Sequence, residues 1–149
     1  MRIPLEQAQQ IIDIAHREGE KLGKALSVAV VDAGGFIVAI ARADGARPLT
    51  ADIALTKAYS AAVMQRPTKM LKGWAESNPG FFASLSQLAT RPIVYTEGGV
   101  TLKRGEEFLG GIGISGGTGD EDQEVADVVI AELGFDSDFA AWGQPAKRH

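Results

Sequence analysis

The chain has no cysteine, so disulfide frameworks, thiolate metal centres, iron–sulfur clusters and cysteine nucleophiles are all excluded. Histidine is almost as scarce: His16 and His149 are the only two, which leaves few imidazoles for metal binding or proton transfer. No apolar run is long enough to span a bilayer, and Met1-Arg2-Ile3-Pro4-Leu5-Glu6 lacks the apolar core of a signal peptide. No membrane partner and a cytoplasmic location are therefore expected. Basic residues are outnumbered 15 to 19 by acidic ones, for a formal charge of −4. That balance argues against nucleic acid, where affinity comes chiefly from Lys and Arg on phosphates.

What is present fits one globular domain. The 149 residues are 45% hydrophobic and 23% charged, enough for a substantial core. We read residues 1–134 as the domain and 135–149 as a tail in which Phe139 and Trp142 are suited to dock on a neighbour. Leu5, Ala8, Ile11, Ile12, Ala15 and Leu22 recur at helical spacing between Pro4 and Gly23. Leu26 to Val31 and Phe36 to Ala41 are β-rich and joined by Asp32-Ala33-Gly34-Gly35, which predicts a hairpin. An alanine-rich helix follows from Ala51 to Gln65, with Thr50 as its N-cap and Pro67 as its stop. Helical pieces are expected over 68–77 and 80–88, with Trp74, Phe81 and Phe82 placed to close over a pocket. Pro92 to Thr96, Val100 to Lys103 and Glu107 to Ser115 complete a predicted count of about five strands.

The last of these strands leads into Ser115-Gly116-Gly117-Thr118-Gly119, then an acidic helix start at Asp120, Glu121 and Asp122. Alternation puts Phe108, Gly110, Ile112 and Ile114 on one face and Leu109, Gly111, Gly113 and Ser115 on the other. A face bare at two glycines is either the floor of a pocket or the seat of a closely packed helix. Gly111 to Gly116 also fits the dinucleotide pattern G-x-G-x-x-G, but nothing after Gly134 can supply the parallel strand and ribose-binding acid. Thr118 and Glu121 have capping-box spacing, which argues for a self-satisfied helix start over a phosphate site. The surrounding acids match no defined metal loop. Ser115 fails the nucleophile-elbow pattern because the flanking glycines are misplaced.

Lys57 shares a helix face with Ile53, Ala61 and Met64. A desolvated lysine serves as a base or nucleophile, whereas a carboxylate partner keeps it charged and structural. Asp32, Asp44 and Glu97 are candidate partners from turns. Arg42, before the same helix, has the fork suited to a carboxylate.

Five segments in order, Val30-Val31-Asp32-Ala33-Gly34-Gly35, Asp52-Ile53-Ala54 with Lys57-Ala58, Arg66-Pro67-Thr68, Gly98-Gly99-Val100 and Gly110 to Gly117, resemble the GlcG/HbpS-like family and the C-terminal domain of PduO-type cobalamin adenosyltransferases. The resemblance implies an α+β, profilin-like fold with helices flanking an antiparallel sheet, assembled into a homo-oligomer. It also implies a small-molecule ligand, with haem or another tetrapyrrole foremost and haem degradation in some members. Thr101 departs from the pattern, which commonly has proline there. For haem, His16 is the candidate axial ligand, with Tyr59, Tyr95, Met64 and Met70 as alternatives whose default role is packing. The candidate ligand-binding set is Arg42, Asp44, Gly98, Gly99, Gly111, Gly113, Ser115 and Gly116. The alternative is a catabolic tautomerase, isomerase or lyase acting on a small organic acid, with Lys57, Asp32 and Glu97 moving the proton.

Overall fold

The computed structural model describes residues 2–137. The elements run α1 (Leu5–Lys21), β1 (Ser27–Asp32), β2 (Ile37–Arg42), α2 (Thr50–Met64), a 3-10 turn (Thr68–Leu71), α3 (Lys72–Ser77), α4 (Pro79–Leu88), β3 (Gly99–Arg104), β4 (Glu107–Ser115) and α5 (Gly119–Leu133). The strands form one antiparallel sheet of order β2-β1-β4-β3.

The sheet has four strands, not five. The expected strand at 92–96 is extended chain whose polar groups are met by serine side chains. The Ile93 N–H donates to Ser86 Oγ and the Val94 N–H to Ser60 Oγ. Pro92 has no N–H to offer a ladder. Once these side chains satisfy the backbone, a further strand pairing gains nothing.

Helices α1 and α5 cover one face of the sheet. Ala8, Ile11, Ile12 and Ala15 of α1 and Val125, Ala126 and Val129 of α5 pack with Val28, Val30, Val100, Ile112 and Ile114. Arg17 grips both carboxylate oxygens of Glu132 at 2.6 and 3.2 Å, tying α1 to α5. Helix α2 covers the other face, where Ala54, Ala58 and Ala62 meet Ala29 and Val31.

The glycines of β4 let α2 come that close. A Cβ on Gly111 would lie 2.6 Å from the Ala58 carbonyl oxygen, and one on Gly113 would fall onto the Ala54 carbonyl. The bare strand face is thus the seat of a helix. Gly111 and Gly113 are packing residues, which corrects their place in the ligand-binding set.

One expected alternation also changes. The β3–β4 register skips Leu109, with Leu102 opposite Gly110 and Lys103 opposite Phe108, and Gly110 takes φ +154°. This bulge turns Leu109 toward the α1/α5 core and Phe108 toward α2.

Helix α5 begins with the expected capping box: Glu121 N–H donates to Thr118 Oγ1 at 3.2 Å and Thr118 N–H to Glu121 Oε1 at 2.9 Å. Helix α2 lacks one. Thr50 is its first residue rather than its N-cap, and its hydroxyl donates to the Arg47 carbonyl at 2.6 Å. The helix stops at Gln65, left-handed at φ 55°, because the residue before Pro67 is barred from helical geometry. Trp74 packs against Phe81 and, edge-on, against Phe82, with ring centroids 5.6 and 5.9 Å apart. No described helix is long and apolar enough to cross a membrane.

Candidate functional site

The sequence-predicted residues divide between two clefts and the interior. The first cleft, about 670 Å³, lies between the C-terminal half of α1 and the loop after β2. His16, Arg42 and Asp44 all line it, with Glu20 and Lys24. Three residues separated in sequence by up to 28 positions are brought together because Arg42 ends the strand on which α1 packs.

His16 sits on the third turn of α1, beside the apolar stripe. Its Nε2 is buried and has no hydrogen-bond partner among the described residues. An unsatisfied buried ring nitrogen costs about 1–3 kcal/mol. Arg42 Nη1 reaches the Ala46 carbonyl only at 3.5 Å, and Lys24 lies 3.6 Å from Glu121. The lining offers one imidazole and two cations, the groups that a haem's iron and propionates take, beside two carboxylates, Glu20 and Asp44. His149 lies outside the described residues, as do Phe139 and Trp142 of the tail.

The second cleft, about 770 Å³, lies where the start of α2 meets the β4–α5 junction. Lys57, Glu97, Ser115 and Gly116 line it, joined by Arg47, Thr50 and Asp122. The Lys57 ammonium donates to the Ile114 carbonyl at 2.8 Å and to Asp122 Oδ2 at 3.1 Å. Their side chains are only 5% and 4% exposed. Asp122 Oδ1 accepts from the Gly117 N–H at 2.9 Å. Burial raises the Asp122 pKa, with the Lys57 charge and the Gly117 N–H opposing it.

Asp122 is therefore the carboxylate of Lys57, in place of Asp32, Asp44 or Glu97. Asp32 is opposite Gly110, four residues from Ile114, or about 13 Å along the strand at ~3.3 Å per residue. It is used instead in the hairpin turn, where Oδ1 accepts from the N–H groups of Gly34 and Phe36 at 2.9 and 3.0 Å. Asp44 lines the other cleft. Glu97 packs beside Gly119 at the start of α5. The signal for Asp122 was its spacing: it lies three, four and seven residues before Val125, Ala126 and Val129, on the buried stripe of α5.

Gly98 and Gly99 are buried behind Lys57. A Cβ on Gly98 would stand 2.7 Å from the Ile114 oxygen and 3.0 Å from the Lys57 ammonium, and one on Gly99 2.6 Å from the Lys57 carbonyl. Gln123 Oε1 accepts the Gly98 N–H at 3.1 Å and Thr68 Oγ1 the Gly99 N–H at 3.0 Å. Neither glycine lines either of the two clefts, and both pack against the lysine. Thr101 is buried with its hydroxyl unpartnered among the described residues.

The alternative iron ligands are occupied in packing. The Tyr59 hydroxyl accepts from the Thr90 N–H and pairs with its hydroxyl, Tyr95 stacks on Phe82, and Met64 packs with the Tyr59 cluster. Met70 lines a small cavity of about 210 Å³ away from both clefts. Among the described residues no group of three or more His, Asp or Glu is placed to hold a metal ion.

Comparison with known proteins follows the same lines. The family model for haem degrading protein HbpS-like matches residues 3–131. Protein GlcG of Escherichia coli K12 is 35% identical over 112 residues, 74% of this chain and 78% of that protein. The corrinoid adenosyltransferase PduO of Citrobacter freundii is 26% identical over 133 residues, and the match spans 89% of this chain but only 39% of PduO. The crystal structure of the PduOC:heme complex superimposes with a TM-score of 0.83 at 25% identity, over 92% of this chain and 99% of that one. Motif order, fold and matched length agree, and the chain belongs to the HbpS-like family.

Proposed function

We propose that this protein binds haem or a related tetrapyrrole in the cleft beside α1, with His16 as the iron ligand and Arg42 and Lys24 facing the propionates. The observation that carries the reading is the His16 ring nitrogen, buried in a cleft wall with no partner among the described residues. The haem complex of the similarly folded PduOC domain supports it. When bound, the haem supplies an iron centre and an extended apolar ring; the chain supplies the imidazole and the cationic rim. The proton-moving alternative has less support, because the Lys57 ammonium is committed to Asp122 and the Ile114 carbonyl.

Haemin titration followed in the visible range tests this. The expected result is a saturable Soret shift, weakened more than tenfold by His16→Ala, a loss of about 1.4 kcal/mol or more. A shift that survives His16→Ala unchanged removes His16, and no shift in the wild type removes the haem.

Self-association belongs to the same reading. Edge strand β2 and the residue before it expose Phe36, Ile37 and Ile40, and an apolar edge of this kind is a pairing surface for a second copy. Light scattering is expected to give a multiple of the 15.7 kDa chain mass, reduced by Ile37→Lys. A monomeric wild type would refute it.

A further inference from the structure

The cleft holding Lys57 has a ligand chemistry of its own, separate from the haem reading. We propose that it binds a small carboxylic acid, with the carboxylate held between Arg47 and Ser115.

Ser115 closes β4 and is 5% exposed. Its hydroxyl makes no hydrogen bond among the described residues, and it faces the cleft. A hydroxyl on a buried residue that is left open toward a cleft is placed to bond a polar atom of a ligand. Ser27, its cross-strand partner, is by contrast bonded to Thr50 at 2.8 Å. Because Thr50 Oγ1 donates to the Arg47 carbonyl at 2.6 Å, the Ser27 hydroxyl must donate to Thr50. That relay fixes the backbone of Arg47 at the mouth of the cleft.

Arg47 supplies the anion-binding group. Lys57 and Asp122 offset one another at 3.1 Å. Glu97 stands against the first residue of α5, where a Cβ on Gly119 would be 2.5 Å from Oε2. Arg47 forms no ion pair among the described residues, so its fork is free to take an anion at the mouth of the cleft. A guanidinium beside a hydroxyl suits the two oxygens of a carboxylate. Leu49 and Ile53, 64% and 37% exposed on the same wall, suit a short aliphatic chain.

The two clefts share no lining residue. The segment 24–26 separates them: Lys24, Ala25 and Leu26 line the first, while the Ala25 carbonyl backs Gly116 of the second.

Sodium propionate titrated into the 15N-labelled chain at fixed ionic strength tests the proposal. Saturable amide shifts are expected at 47–49 and 115–117. Arg47→Gln should weaken binding about tenfold, the loss of one charge-assisted hydrogen bond, and Ser115→Ala several-fold with a dispersed spectrum retained. Propionamide should not bind. Shifts that never saturate, unchanged affinity in either cleft variant, or equal binding of propionamide would each overturn the assignment.

Discussion

Asp122→Ala is expected to destabilise the fold by about 3–5 kcal/mol, the range for stranding one charge of a buried pair. Among the described residues Lys57 is held by two groups, Asp122 and the Ile114 carbonyl, and the backbones of Gly98, Gly99 and Ile114 lie against it. Removing the carboxylate leaves an ammonium that is 5% exposed and bonded only to the Ile114 carbonyl among the described residues. The same change frees the Gly117 N–H. Urea unfolding measures the loss, and a change below about 1 kcal/mol would show that the pair is solvated. Lys57→Met combined with Asp122→Leu should recover most of the stability, since apolar replacement of a whole buried pair is often neutral or better.

The pH response has a definite sign. Burial raises the Asp122 pKa in the folded chain, so the folded state takes up this proton before the unfolded state does. Its contribution to stability therefore grows as pH falls through the folded pKa, and stops growing below the unfolded value of about 3.9. The stability difference between wild type and Asp122→Asn should rise on acidification across that window. A difference that falls instead would mean that the Lys57 charge outweighs burial.

Gly113→Ala is expected to cost about 3 kcal/mol or more, beyond ordinary overpacking. The added methyl would fall onto the Ala54 carbonyl, with the Ala58 nitrogen 2.6 Å away. Both obstacles are helix backbone, so no side-chain rotation relieves them. Helix α2 must lift from β4, separating Ala54 and Ala58 from Ala29 and Val31. Gly73→Ala is the control: it lies in α3 with nothing within 4 Å of the new methyl, and should be neutral or stabilising by about 0.5–1 kcal/mol. Thermal unfolding of the two variants side by side decides the matter; equal midpoints would refute the close seat of α2.

These two sites mark the reach of a sequence reading. The glycines of β4 announced a close approach, because glycine inside a strand has no packing value of its own, but pocket floor and helix seat leave the same pattern. The choice depended on α2, whose alanines are small enough to enter. Lys57 was legible as buried from its apolar neighbours on one helix face. Its partner was not, because Asp122 lies 65 residues away and also reads well as helix-start charge. The expected strand at 92–96 failed for a related reason: Ser60 and Ser86, distant in sequence, satisfy its backbone. His16, Arg42 and Asp44 were chosen separately, and the packing of α1 against the hairpin made them one cleft.

What the sequence determined alone is what nearest neighbours control: helix periods, the Thr118–Glu121 capping box, the turn around Asp32, and the exclusion of thiol chemistry by the absence of cysteine. Tertiary structure decided the pairing of Lys57 with Asp122, the bulge at Gly110 and the division of the site residues between two clefts. Those features arise where segments far apart in the chain exclude water from one another. Local periodicity says which side of an element is buried, and only the packed neighbour says against what.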